Sequence, residues 1–328
     1  MKIKRILSGM RPTGKLHIGH YVGALENWIN LQNSGQYQNF HLIADYHVLT
    51  TGLDSSNIYN DSIEMLIDWL ASGLDPNKSP MFRQSKIKEH TELHLIFSML
   101  ITTSRLERNP TLKDQVRDLN LENMSYGHLG YPVLQTADIL LYKGEVVPVG
   151  EDQVPHIEIS REIARKFNAQ YGEVFIEPIP LLTKFSRLVG LDGNAKMSKS
   201  LGNSILLSDE KEIVKAKLKK AVTDPQKLRK GDPGRPEVCL VFSYHKKFNS
   251  EEINLIETDC KSGLLGCFDC KMKCVEKISS FLEPIIAKRK ELESNMNYVL
   301  DVLSDGERKG KLEAEKTISD VRAKMGIG

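Results

Sequence analysis

The sequence lacks long apolar runs, an excess of charge of one sign, and cysteines spread along the chain. No apolar run in the 328 residues approaches the length of roughly 18 residues that a membrane-spanning helix requires. The N-terminal segment MKIKRILSGM is too short in its apolar part for a signal peptide. Since 45 Lys and Arg nearly balance 43 Asp and Glu, any nucleic-acid-binding surface would have to be local. We therefore expect a cytoplasmic protein that needs no membrane.

Strand and helix patterns alternate through the first two thirds of the chain. Short apolar runs at residues 3–7, 40–44, 81–83 and 146–149 predict buried strands, and a helical pattern before Gly73 predicts a helix. This alternation predicts an α/β fold with a parallel sheet that is covered on both faces. From about residue 209 the pattern becomes mostly helical. We therefore expect two domains, 1–208 and 209–328.

Residues 8–25, SGMRPTGKLHIGHYVGAL, allow two interpretations. Gly9 and Gly14-Lys15 match the start of a phosphate-binding P-loop, but Leu16 stands where that motif needs a hydroxyl group for Mg²⁺. The alternative is His17-Ile18-Gly19-His20 at the first turn of a helix. Both imidazoles would then lie on one face beside unpaired backbone N–H groups, which is a favourable site for an anion.

A second motif, Lys-Met-Ser-Lys-Ser, occupies residues 196–200. Such a string occurs by chance in roughly one chain of this length in ten thousand, although Lys196 and Lys199 could also be ordinary surface lysines. Together the two motifs resemble the class I aminoacyl-tRNA synthetases. The resemblance implies a Rossmann-type doubly wound sheet with a smaller C-terminal α-helical domain. It also implies that His17, His20, Lys196 and Lys199 are catalytic, contacting the phosphates of ATP and the departing pyrophosphate.

Longer stretches are similar to the tryptophanyl-tRNA synthetase family over nearly the whole chain. They include YPVLQTADILLYK, VPVGEDQVPHIEISREIARKFN and AVTDP. The resemblance implies a homodimer that uses ATP and Mg²⁺ to activate L-tryptophan and then transfers it to tRNA(Trp). A tyrosyl-tRNA synthetase and a non-catalytic RNA-binding relative on the same fold are the alternatives.

Asp138 is the key residue of this resemblance. The indole ring of tryptophan offers one N–H donor and no acceptor, and the resemblance implies that Asp138 accepts from this N–H. From the residue alone, Asp138 could equally be a helix-starting or salt-bridged aspartate. The expected tryptophan-binding residues are Leu7, His47, Tyr131, Gln135, Asp138, Val147, Val149 and Gln153. The expected ATP-binding residues are Arg11, Pro12, Thr13, Gly19, His20, Gly150, Glu151, Asp152, Leu188, Lys196, Met197, Ser198, Lys199 and Ser200. Gln135 and Arg11 depart from the Met and Gln that many relatives carry.

All the cysteines of the chain lie between Cys239 and Cys274. A cytosolic protein rarely forms disulfides, and four thiolates would suit either tetrahedral zinc or a four-iron cluster. A subset of bacterial relatives has a similar cysteine pattern, with a slightly longer first spacing, and this implies a [4Fe-4S] cluster. Free thiols remain the alternative. The expected ligands are Cys239, Cys260, Cys267 and Cys270.

Two further features are interpreted as structural. His90 and His94 are four residues apart but lack the metalloprotease pattern, so we interpret them as ordinary helix residues. The run at 211–235 is rich in Lys and Arg and is typical of a solvated helix face, although it could also contact tRNA phosphates.

Overall fold

A parallel five-stranded sheet is the centre of the fold. The computed structural model describes residues 3–118, 124–182, 188–193, 197–199 and 201–327. The strands are β1 (Lys4–Met10), β2 (Tyr37–Ile43), β3 (Met81–Arg83), β4 (Val146–Val149) and β5 (Ile179–Leu182), in the order β3-β2-β1-β4-β5. Every pairing in this sheet is parallel, which confirms the predicted α/β architecture.

Helices follow the strands and fill the C-terminal part of the chain. In the first half they are α1 (Ile18–His20), α2 (Glu26–Asn33), α3 (Asp45–Leu49), α4 (Ile58–Ser72), α5 (Glu89–Ser98), α6 (Thr103–Glu107), α7 (Pro110–Asp118), α8 (Tyr126–Leu141) and α9 (Val154–Tyr171). Then come α10 (Lys211–Lys220), α11 (Leu240–Phe248), α12 (Ile253–Ser262), α13 (Cys267–Ser294) and α14 (Met296–Met325). Gly73 ends α4 in the left-handed conformation (φ 112°), as its sequence position predicts.

The chain forms two compact units. Unit 1 contains Met1–Gly14, Ala24–Ser186 and Asn295–Gly328, and unit 2 contains Lys15–Gly23 and Arg187–Ser294. The division therefore does not follow the boundary after residue 208 that the change in sequence pattern suggests. Two segments cross that boundary: the first histidine motif belongs to unit 2, and α14 belongs to unit 1.

Small residues let α14 lie directly on β3 within unit 1. A Cβ added at Gly306 would be 1.9 Å from the carbonyl oxygen of Met81, so only glycine fits there. Arg83 Nε bonds Glu307 Oε1 at 2.6 Å, and Arg5 Nη2 lies 2.8 Å from Glu313 Oε2. Close backbone approach and these ion pairs fix the last helix to the sheet.

Unit 2 has a helical core of its own. Its most buried side chains include Leu218 of α10, Tyr244 of α11 and Ile278 of α13. The Tyr244 hydroxyl donates to the carbonyl oxygen of Val189 at 2.6 Å, which ties α11 to the loop that precedes the lysine motif. Among the described residues, no helix combines the length and the apolar character needed to cross a bilayer.

Candidate active site

The carboxyl ends of β1 and β4 form the edge of the sheet where the strand order changes direction. From β1 the chain continues to β2 and β3 on one side, whereas β4 and β5 lie on the other. Sheets of this kind bind ligands at such a point. The expected ATP segments both lie there: Arg11, Pro12 and Thr13 directly follow β1, and Gly150, Glu151 and Asp152 directly follow β4.

Helix α8 presents three expected tryptophan-binding residues on one face. Tyr131, Gln135 and Asp138 are spaced by four and three residues, so their side chains lie one above another. Leu7 of β1 and Val147 of β4 are buried in the same apolar core, and Val149 packs against it. A polar helix face and apolar strand positions are thus both available in unit 1.

Asp138 is a buried carboxylate held by three side chains. Its Oδ1 accepts from Gln84 Nε2 and from His90 Nδ1, each at 2.7 Å. Its Oδ2 accepts from His47 Nε2 at 2.9 Å. Asp138 retains only 3% of its accessible surface, and Gln84 and His90 retain none.

These donors decide the charge of Asp138. Burial alone raises the pKa of a carboxyl group, but the hydrogen bonds from His47 and His90 outweigh that effect and hold the pKa of Asp138 at about 2. Asp138 is therefore ionised at neutral pH and acts only as an acceptor. An N–H group of a ligand is the partner that such a carboxylate selects.

A second buried chain of hydrogen bonds joins Tyr131 to Gln153. The Tyr131 hydroxyl lies 2.7 Å from His156 Nε2, and His156 Nδ1 lies 3.0 Å from Gln153 Oε1. Burial lowers the pKa of His156 to about 4, so the ring is neutral at pH 7. Because Gln153 Oε1 can only accept, Nδ1 carries the proton and Nε2 accepts from Tyr131. The hydroxyl hydrogen of Tyr131 is therefore donated to His156. Gln115 also bonds this hydroxyl. The Tyr131 oxygen can still accept a hydrogen bond from a cationic ligand.

The first histidine motif lies in unit 2 and begins α1. His17 and His20 form a reciprocal cap: His17 Nδ1 accepts from the His20 backbone N–H at 3.3 Å, and His20 Nδ1 accepts from the His17 backbone N–H at 3.2 Å. The rings stack with their centroids 3.7 Å apart. Since each Nδ1 is an acceptor, each neutral ring carries its proton on Nε2, which makes that atom a donor of the kind a phosphate needs.

Backbone hydrogen bonds connect this motif to the chain that follows the lysine loop. Ile18 N donates to Ile205 O at 2.9 Å, and Leu207 N donates to Leu16 O at 2.8 Å. A Cβ added at Gly19 would lie 2.9 Å from His17 Nδ1 and 3.4 Å from Met197 Sδ. The two motifs, about 180 residues apart in sequence, therefore meet within unit 2.

Asn203 organises the part of the lysine loop that the structure describes. Its side-chain Oδ1 accepts from Ser198 N at 2.7 Å, and its backbone oxygen accepts from Leu191 N at 2.8 Å. Leu188, Met197 and Asn203 are buried in unit 2. Lys199 and Ser198 belong to this described part, whereas Lys196 and Ser200 lie outside the described residues.

The cysteines gather between α11 and α13 as unbridged thiols. Burial, together with the neighbouring Cys239, Cys260 and Cys267, raises the pKa of Cys270 to about 12. These thiols are therefore near one another. However, as they are placed, the described residues contain no group of three or more His, Cys, Asp or Glu that could hold a metal ion. The arrangement does not fit a four-thiolate centre.

Comparison with known proteins decides the family. A family model described as tRNA synthetases class I (W and Y) matches residues 2–283. The chain belongs to this family. The similarity of the two motifs to class I aminoacyl-tRNA synthetases is thereby confirmed.

Several relatives that match over nearly their full length are tryptophan–tRNA ligases. That of Thermotoga maritima is 47% identical over 327 residues, covering 98% of this chain and 99% of the relative. The tryptophan–tRNA ligase of Aquifex aeolicus is 44% identical, and the match covers 98% of this chain and 100% of the relative. A solved structure of the Campylobacter jejuni tryptophanyl-tRNA synthetase, complexed with ADP and tryptophan, matches with a TM-score of 0.86. Its identity is 33%, and the match covers 98% of this chain and 99% of that one.

The structure adds residues that the sequence pattern did not indicate. His90, which the sequence presents as an ordinary helix residue, is fully buried against Asp138, and Gln84 lies beside it. His156 links two expected substrate residues, and Asn203 holds the lysine loop. The only signal in the sequence is the residue type, because Gln and His side chains are seldom buried without hydrogen-bond partners.

Proposed function

We propose that this synthetase is a tryptophan–tRNA ligase. It activates L-tryptophan with ATP·Mg²⁺ to give tryptophanyl-adenylate and pyrophosphate, and it then transfers tryptophan to the 3′-terminal adenosine of tRNA(Trp). The observation that carries the proposal is the buried, ionised Asp138, because this carboxylate can accept the single N–H of an indole ring. The full-length similarity to tryptophan–tRNA ligases supports it.

Recognition of tryptophan follows from the residues around Asp138. Leu7, Val147 and Val149 supply apolar surface for the ring, with His47 and Gln135 as the other side chains expected to line it. The hydroxyl oxygen of Tyr131 and the amide of Gln153 would accept from the α-ammonium group. Sites that hydrogen-bond a substrate in this way reject analogues lacking the group by about 10⁴–10⁵-fold.

Activation is a displacement at phosphorus. The tryptophan carboxylate attacks the α-phosphorus of ATP, the bond to the bridging oxygen breaks, and pyrophosphate leaves with the electron pair. We propose that the Nε2–H groups of His17 and His20 donate to phosphate oxygens and that Lys196 and Lys199 neutralise the pyrophosphate. Arg11, Pro12, Thr13, Gly150, Glu151 and Asp152 would hold the nucleotide, with Leu188 near the base. Fixed donors at the developing charge lower the barrier without covalent participation.

The deciding experiment is pyrophosphate exchange with each of the twenty amino acids in turn. Exchange stimulated by tryptophan alone, followed by charging of tRNA(Trp), is the expected result. Stimulation by tyrosine instead would establish the tyrosyl-tRNA synthetase alternative. Absence of exchange with every amino acid would favour the RNA-binding alternative.

Two further assignments concern assembly and RNA. We propose that the protein is a cytoplasmic homodimer and that residues 209–328 contact the anticodon side of the tRNA. The unbridged thiols suit a reducing compartment, and three lysines in the last turn of α10 (Lys217, Lys219 and Lys220) supply local positive charge. Light scattering tests the dimer, and the salt dependence of tRNA binding tests the basic surface, because phosphate contacts weaken steeply with salt.

We retain the [4Fe-4S] cluster at Cys239, Cys260, Cys267 and Cys270 as a proposal with a direct test. The sequence spacing and the mutual proximity of the thiols support it, whereas their placement here does not fit a metal. Anaerobically purified protein would contain about four iron and four sulfide per chain. Stoichiometric zinc would replace iron with zinc, and protein without either metal would leave free thiols, including Cys274.

A further inference from the structure

The acceptor capacity of Asp138 is almost fully used before any substrate arrives. A carboxylate offers about four lone-pair positions, two on each oxygen. Gln84 and His90 occupy both positions on Oδ1, and His47 occupies one on Oδ2. Within the described part of the chain, one position on Oδ2 is left for a ligand donor. The direction in which this remaining position points therefore depends on what holds Oδ1.

His90 is itself held from behind by Tyr142. Its Nε2 lies 2.9 Å from the Tyr142 hydroxyl, and both residues are fully buried. Burial raises the pKa of Tyr142 well above its usual range, so its hydroxyl keeps its hydrogen and can donate it. Tyr142 O–H then donates to His90 Nε2, and His90 Nδ1–H donates to Asp138 Oδ1. Both ring nitrogens of His90 thus have a hydrogen-bond partner, and the imidazole has one possible orientation.

Rotation of the carboxylate would break this arrangement. Turning the carboxylate plane away from its observed orientation requires the loss of two hydrogen bonds of 2.7 Å in a site where Gln84 and His90 have no water-exposed surface. Leaving these buried donors unpaired is unfavourable, because they have given up their hydrogen bonds to water. The Oδ1 oxygen is therefore anchored, and Oδ2 is the fixed acceptor.

We propose that His90, supported by Tyr142, is a positioning residue that anchors Asp138 Oδ1 and so directs the remaining acceptor on Oδ2 to the ring N–H of the amino-acid substrate. His90 thereby determines the preference for a ring that carries an N–H group. This inference rests on the proposed activation of tryptophan and extends it to a residue that touches no substrate atom.

The test compares tryptophan with 3-benzothienylalanine, in which sulfur replaces the ring N–H. The ratio of kcat/KM for the two amino acids in pyrophosphate exchange measures recognition of the N–H group. His90→Asn keeps a donor near the place of Nδ1, His90→Phe removes it, and Tyr142→Phe removes only the supporting hydroxyl. Leu95→Ala is the control on the same helix, since Leu95 of α5 is exposed.

We expect His90→Phe to reduce the tryptophan preference at least about tenfold, with the KM for ATP unchanged, because the analogue has no N–H group to lose. His90→Asn should retain the preference within about threefold, Tyr142→Phe should reduce it by an intermediate amount, and Leu95→Ala should leave it unchanged.

Equal losses for tryptophan and the analogue in His90→Phe would show a purely structural role and overturn the inference. If His90→Phe does not fold, an unchanged preference in Tyr142→Phe overturns it instead. Lack of tryptophan-dependent exchange in the unaltered protein would refute the proposed function itself, which is a different outcome.

Discussion

The candidate residues of unit 1 and those of unit 2 are each held in place by different means. In unit 1, Asp138 is fixed by side chains of Gln84, His90 and His47, all of them buried. In unit 2, the histidine motif and the lysine loop are fixed mainly through backbone groups, with Asn203 as the side-chain acceptor for Ser198. In the proposed scheme, the first arrangement selects a ligand by the donor group that it presents, and the second supplies donors to the phosphates of ATP. We therefore expect changes in unit 1 to alter the choice of amino acid and changes in unit 2 to alter the rate.

The strongest test of this contrast is Asp138→Asn. The amide would turn a donor toward Gln84, His90 or His47, so at least one buried donor would lose its partner. We expect kcat/KM for tryptophan to fall by about 10³ or more, with the KM for ATP within about threefold of its original value. Pyrophosphate exchange measures both. Equal losses for the two substrates would remove the distinction between the two parts.

Lys199→Ala tests the same contrast from the other side. If Lys199 contacts pyrophosphate as it leaves, its contribution belongs to the transition state, and the rate of adenylate formation should fall by about 10². The dissociation constant for tryptophan should stay within about twofold, because the loop does not contact the indole in the proposed scheme. Single-turnover kinetics and tryptophan fluorescence titration give the two values. A large rise in the dissociation constant with an unchanged rate would contradict the proposal.

Much of unit 1 follows from its sequence, and the exceptions have physical reasons. The apolar runs predict β3 and β4 with their observed bounds, and they place β1 and β2 within a few residues. Strand β5 has a proline at Pro180 and leaves Ile179 and Leu182 half exposed, so its sequence lacks a buried-strand pattern. The return of α14 to the sheet depends on the contact of Gly306 with Met81, which no local pattern reveals.

The candidate site residues, like the fold, can be predicted from the sequence only in part. Residues that would touch substrate lie in continuous motifs, and similarity to a family therefore assigns them. His90 and His156 act through other side chains, and their partners are 48 and 25 residues away in sequence. A histidine within an apolar helix looks like any core residue until its partner is placed beside it. Sequence patterns therefore predict contacts with substrate better than the support behind them.

A third prediction separates stability from recognition within unit 1. His41 is fully buried, with its ring 4.7 Å from that of Trp28, and among the described residues neither ring nitrogen has a hydrogen-bond partner. Burial lowers its pKa to about 3, whereas the unfolded chain takes up a proton near pH 6.5. Because the unfolded state binds more protons below that value, stability falls as the pH decreases. For His41 the loss between pH 7 and pH 5 is about 2 kcal/mol.

The variant His41→Phe should remove this part of the pH dependence. His156, whose pKa is lowered to about 4, should contribute a similar loss that the variant retains. Chemical denaturation at pH 7 and pH 5 measures the difference. Over the same range Asp138 stays ionised, so its charge contributes nothing to any change. An unchanged slope in His41→Phe would show that His41 does not titrate as its burial requires.

The smallest effect is expected for Asn203→Ala in unit 2. The substitution removes the side-chain oxygen that accepts from Ser198 N–H at 2.7 Å in the described part of the lysine loop, while leaving each charged group in place. We expect adenylate formation to slow by about tenfold, which corresponds to the loss of roughly one hydrogen bond that the loop needs in the transition state. Tryptophan binding should not change, because in the proposed scheme Asn203 supports only residues that contact ATP. Asn254→Ala, an exposed substitution on α12 of the same unit, provides the control. Single-turnover kinetics with equilibrium titration distinguishes the outcomes: weaker tryptophan binding at an unchanged rate would mean that the loop also governs recognition, and the contrast between the two parts would then fail.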